Sequence, residues 1–185
     1  KTNDDGKRYV VGIDGIKVTD ETGVPYQYIL TKDKDFITLR IGDPNTTISG
    51  KHMYIIKYKL SGALTYFDTF AEFYWTPIGA DWQVPIISST VNTRFDEKFS
   101  ENQLEGRCYT GPTGSKEQNC KIEVHNNLLT FVDKNIWPGN NFTVVAKFPI
   151  DYAAHLEPTP DRSSVIEKFM VLLFGTIFVV FYLVL

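Results

Sequence analysis

Cys108 and Cys120 enclose eleven residues in CYTGPTGSKEQNC. Thiols at that spacing can pair, bind a metal or act as nucleophiles. Structural zinc needs about four ligands, and the chain has two cysteines and three scattered histidines, His52, His125 and His155. A cysteine nucleophile needs a free thiolate beside a histidine. A disulfide fits better, with two unrelated free thiols as the alternative. The segment reads as loop chemistry, because Gly111, Pro112 and Gly114 form turns. In the same segment GPTGSK (residues 111–116) invites a phosphate-loop reading. That motif needs four residues between its glycines and then Lys-Ser/Thr. Here two residues separate the glycines and the order is Ser-Lys, so a stapled turn is the better reading.

Other candidates are weaker. No G-x-S-x-G elbow is present, which leaves an α/β-hydrolase unsupported. Asp4-Asp5, Asp33, Asp35 and Asp43 fall in turns, without the spaced oxygen ligands of a calcium loop. No catalytic residue, cofactor or metal is therefore expected. NTT (Asn45–Thr47) and NFT (Asn141–Thr143) are glycosylation sequons, and Asn141 begins an apparent strand. The densest feature is YFDTFAEFYWTPIGADWQVPI, residues 66–86. Exposed, its rings would form a glycan or peptide platform. Buried, alternate rings would fill a core. Strand alternation sets Phe73 and Trp75 on one face and Glu72 and Tyr74 on the other. Tyr66, Tyr74, Trp75 and Trp82 are the candidate ligand or partner surface, with core the favoured place for Trp75 and Trp82. Pro77, Gly79 and Pro85 are read as the connection that follows.

The elements around these residues read as strands. Asp14-Gly15 between residues 8–13 and 16–19 has the form of a two-residue hairpin loop. Residues 24–31 make another strand candidate, followed by the KDKD turn. Ile37, Leu39 and Ile41 alternate with Thr38 and Arg40, and GDPN (residues 42–45) is turn chemistry. Tyr54, Ile56, Tyr58 and Leu60 alternate with Lys57 and Lys59, the pattern of a half-buried strand. Residues 71–75, 84–93, 120–124, 128–132 and 141–148 complete the strands. Residues 96–105 are polar and could hold a helical turn. His125-Asn126-Asn127 and Trp137-Pro138-Gly139-Asn140 are turns. The expected fold is all-β, an antiparallel, immunoglobulin-like β-sandwich over residues 1–150.

Beyond it, residues 151–164 form a linker that Pro158 and Pro160 keep extended. Phe169–Leu185 holds 17 uncharged, mostly apolar residues with no polar stripe. Begun at Val165, it is expected to make one C-terminal transmembrane helix over 165–185, close to the ~20 residues a bilayer needs. The absence of a polar flank after Leu185, and of an initiator methionine at Lys1, suggests a piece of a longer protein. Disulfide and tail together place the body on the exocytoplasmic side of a cell membrane. Of 185 residues, 19 are Lys or Arg and 22 Asp or Glu, a net charge of −3, with pI near 5.6. That balance argues against a nucleic-acid partner. At 43% hydrophobic and 14% aromatic, the chain is not a disordered one.

Four motifs in order carry a resemblance. IGDPNTTISGKHMYIIKYKLSGAL (residues 41–64) is similar to "IGDP…G…Y-x-I-x-Y". EFYWTPIGADWQVPI (72–86) is similar to "ELYWN…G…W-x-V-P-I", and the Cys108–Cys120 segment to "C-Y-T-G…G-S…C". WPGNNFTVVAKFP (137–149) resembles "P-G-x-x-x-T-V-x-V-x-F-P". Over about residues 9–150 the chain resembles the domain-of-unknown-function 2207 family of predicted, mostly bacterial, membrane proteins. The resemblance implies an exported β-domain followed by transmembrane helices, and it brings no established activity. The family also opens with a further hairpin and an "R-x-I-P" motif, so the domain is expected to lack its N-terminal strands. Thr76 stands where the family usually has Asn.

Together these readings give a membrane-anchored interaction or scaffolding module of the envelope, without catalysis. Its partners are the bilayer and a protein or a second copy of the chain. The alternative is a glycan- or peptide-binding sensory module that uses residues 66–86.

Overall fold

A computed structural model describes residues 11–33, 37–100 and 102–153. They form eleven strands in antiparallel sheets and one short helix. Of the expected linker 151–164, Asp151, Tyr152 and Ala153 belong instead to that helix; the rest of the linker and the transmembrane helix lie outside the described residues.

The four-stranded sheet runs in the order β5 (Leu64–Tyr66), β6 (Phe70–Ile78), β11 (Asn140–Pro149) and β8 (Glu105–Pro112). The three-stranded sheet runs β7 (Ile86–Arg94), β10 (Leu128–Ile136) and β9 (Lys121–His125). On β11, Phe142, Val144, Ala146 and Phe148 are buried in one core with Leu129, Phe131 and Ile136 of β10 and Val91 of β7. This alternation is the one the sequence shows for residues 141–148. Both larger sheets therefore drain their apolar faces into a single core, where burial of such side chains contributes most of the folding drive. At the end where β11 stops, α1 (Ile150–Ala153) adds Tyr152 to Phe95, Phe99 and Phe148, with ring centroids 5.1–5.8 Å apart. These near-perpendicular pairs have the edge-to-face geometry that aromatic quadrupoles prefer.

Two smaller sheets precede this core. β1 (Gly12–Thr19) pairs with β4 (Ile55–Ser61), and β2 (Tyr28–Lys32) pairs with β3 (Ile37–Ile41). Half-burial of Ile56, Tyr58 and Leu60 and exposure of Lys57 and Lys59 follow the expected alternation. β3 behaves likewise, with Thr38 and Arg40 exposed. Between β1 and β2 the Asp20 carboxylate accepts bonds from the Thr22 and Val24 amides, each at 2.9 Å.

Several local readings are corrected. Asp14-Gly15 is no hairpin loop: it lies inside β1, where Gly15 and Ile16 together oppose Tyr58. The bulge needs a residue at positive φ, and Gly15 supplies it at +62°. Cys108–Pro112 is not loop but strand, paired along its length with β11. Pro77 is not in a connection either. It lies in β6, where Thr76 and Pro77 oppose Thr143 across a register shift. A bulge tolerates a residue that cannot donate to the ladder. Among the described residues of 96–104, the Gln103 amide donates to the Ser100 carbonyl at 3.0 Å and none is helical. Asn126-Asn127 closes the β9–β10 hairpin, with Asn126 at φ +51°.

Gly106 marks a close approach of the two sheets. A Cβ there would lie 2.9 Å from Ile122 and 3.1 Å from Phe131. Gly106→Ala should therefore destabilise the domain by about 1–3 kcal/mol, the usual penalty for overpacking a filled core. Urea unfolding of the purified chain measures this, and an unchanged midpoint would show that the sheets can separate freely at that point.

Candidate functional site

The side of β11 that turns away from the core carries Thr143, Val145 and Lys147. On β8, Cys108 and Gly106 meet the core, so Glu105, Arg107 and Tyr109 share that outer face. On β6 the outer residues are Glu72, Tyr74 and, at the bulge, Thr76. Register then sets the rows across the sheet. Tyr74, Val145 and Arg107 are in line, as are Glu72, Lys147 and Glu105, while Thr143 faces Tyr109.

Small side chains on the middle strand let the flanking rings lean inward. Tyr74 and Tyr109 approach to 6.3 Å between centroids, tilted by 31°. Beneath this pair Thr143 and Val145 are buried. The Thr143 hydroxyl shares a 2.9 Å hydrogen bond with that of Thr76.

Charges along the face are mutually held. Arg107 Nε donates to Glu105 Oε1 at 2.8 Å, and Lys147 Nζ reaches Glu105 Oε2 at 3.2 Å. Lys147 also lies 4.3 Å from the centroid of the Phe70 ring. The hydrogen bond from Arg107, followed by that from Lys147, holds the Glu105 carboxyl below the usual carboxylate range. The same pairing raises Arg107. These ion pairs are solvent-exposed and add little stability. Their effect is to fix the geometry of donors and acceptors.

A pocket of about 230 Å³ opens beside Tyr74, lined by Val11, Ala63, Tyr74, Trp75 and Thr76. Burial raises the pKa of the Tyr58 phenol, an effect that the neighbouring Trp75 indole opposes.

The four surface candidates read from sequence thus separate. Tyr74 is 42% exposed and stands on the outer face. Trp75 is half-buried, stacks on Phe73 at 6.3 Å and lines the pocket. Tyr66 and Trp82 are half-buried and pack against the core. The aromatic stretch is therefore neither wholly platform nor wholly core. Cys108 and Cys120 form a disulfide with Cα atoms 6.4 Å apart. Of the sequons, Asn45 lies in an exposed turn. Asn141 is half-buried on β11, and its amide nitrogen donates to Thr113 Oγ1 at 3.0 Å.

Sequence reasoning missed Tyr109, Arg107 and Thr143. The signal was the alternation of Glu105, Arg107 and Tyr109 with Gly106 and Cys108, which the turn-formers that follow conceal. Among the described residues, no group of His, Cys, Asp and Glu side chains is placed to hold a metal ion.

A family model described as the N-terminal domain of a predicted membrane protein (DUF2207) matches residues 1–148. The chain belongs to the DUF2207 family. No curated protein and no solved structure matches it. The matched residues take in β1 to β10 and all but the last residue of β11. The family description makes the chain a predicted membrane protein. No helix among the described residues is long and apolar enough to cross a membrane, and the apolar segment 165–185 lies outside them.

Proposed function

We propose that this DUF2207 domain is an exocytoplasmic, immunoglobulin-like β-sandwich, anchored in the cell membrane by residues 165–185, that acts as an interaction or scaffolding module of the envelope. It performs no catalysis of its own. The two larger sheets are its layers, and the Pro-containing segment after α1, residues 154–164, is its linker to the bilayer. The disulfide supports an oxidising compartment.

One observation carries the interaction reading. Every residue of β2 is exposed, the apolar Tyr28, Ile29 and Leu30 among them, and so is Val24 four residues before that strand. Clustered exposed apolar side chains mark protein contact sites. The partner is a protein or a second copy of the chain. The test compares the complex from gently solubilised membranes for the wild type and for Ile29→Asp. A stoichiometric companion lost in the variant is expected. A lone protomer in both would overturn the reading.

A second reading is favoured by the exposed Tyr74 ring, its contact with Tyr109 and the adjoining pocket. There the domain is a sensory or ligand-binding module for a glycan or peptide.

A further inference from the structure

Resting on that second reading, we propose that the outer face of the four-stranded sheet is a carbohydrate site, and that a neutral oligosaccharide chain lies across Tyr74 and Tyr109. Three features select the ligand class. Sugar rings present flat C–H faces to aromatic rings, and two tyrosines side by side offer contact area at low entropy cost. Their centroids are 6.3 Å apart over the middle strand.

Charge on the face is balanced. Glu72 and Glu105 are matched by Arg107 and Lys147, and Glu105 holds both cations. A polyanion or a polycation would have to break these pairs, whereas hydroxyl groups can use the donors and acceptors already fixed in place. Thr76 adds an exposed hydroxyl oriented by Thr143.

Backbone geometry disfavours an extended peptide. β11 is paired on both sides, by β6 and by β8. Its main-chain groups are therefore spent, and strand addition is closed at the centre of this face. The pocket beside Tyr74 gives one ring substituent a place to enter, against the Trp75 indole.

The test uses the full chain in lipid nanodiscs and two neutral probes, cellohexaose and chitohexaose, with an extended hexapeptide library alongside. Titration calorimetry should show saturable binding of at least one hexasaccharide. Tyr74→Ala and Tyr109→Ala should each weaken it by about tenfold or more, the loss typical of an aromatic anchor. Tyr74→Phe keeps the ring and should bind within about threefold of wild type, the remaining loss being that of a modest hydrogen bond. Saturation transfer to the sugar in the wild-type chain gives an independent check: it should fall when the tyrosine rings are deuterated. Sugar binding that ignores both alanine variants and the deuteration would overturn this site and leave the ligand-binding reading standing. Peptide binding without sugar binding would do the same. Silence from all probes would overturn both.

Discussion

Replacing Phe131 with alanine should remove about 3–5 kcal/mol of stability, the range for deleting a buried aromatic ring. Phe131 is fully buried on β10. Its ring faces Gly106 on β8, where a Cβ would come within 3.1 Å of Phe131 Cε1. Glycine on one sheet and phenylalanine on the other are therefore a matched pair. Nothing on the glycine side can move in to fill the vacated volume, so the cavity term adds to the lost transfer free energy. A domain of this kind has about 5–15 kcal/mol to lose. Trp137→Ala provides the contrast. Trp137 is 63% exposed in the turn between β10 and β11, and its truncation should change stability by no more than about 0.5 kcal/mol. Urea titration of the two variants against wild type decides the matter. A Phe131→Ala loss below about 1 kcal/mol would mean that the sheets do not close on each other there.

The same glycine shows why part of the fold was illegible in the sequence. Where a strand carries its own alternation, it could be read: Phe142, Val144, Ala146 and Phe148 of β11 are buried as their spacing demands. β8 carries Gly106, Gly111 and Pro112 instead, which are local signals for a turn. Its strand character comes from β11, and Gly106 is small because Ile122, Leu129 and Phe131 take its space. Both causes lie far away in sequence. Asp14-Gly15 failed in the same way. A hairpin loop and a bulge ask for the same residues, and only the pairing of β4 with both halves of β1 distinguishes them.

The candidate site inherits that limit. Tyr74 was legible because β6 alternates visibly, while Tyr109 was lost with its strand. Thr76 adds a second lesson. The bulge at Thr76-Pro77 shifts the register by one residue, so that Ile78, not Pro77, returns to the core. It also lets Thr76 meet Thr143. Proline, a breaker on its own, here marks where the strand re-aims its side chains beside the pocket.

The disulfide carries the last expectation. Cys108 belongs to the four-stranded sheet, and Cys120 immediately precedes β9 of the three-stranded one. The bond therefore ties the two sheets together across the core that Phe131 fills. With eleven residues enclosed, the chain-entropy model gives it about 3 kcal/mol. The paired Cys108→Ala and Cys120→Ala replacement should lose about that much in denaturant unfolding. Cys108→Ser alone should lose more, because Cys108 is fully buried and a hydroxyl placed there must find a new partner. Native alkylation followed by non-reducing mass analysis supplies the covalent check. Both thiols should be blocked before reduction and both labelled after it. Two labelled cysteines in the native chain would remove the tie between the sheets, and with it the chemical argument for an oxidising compartment.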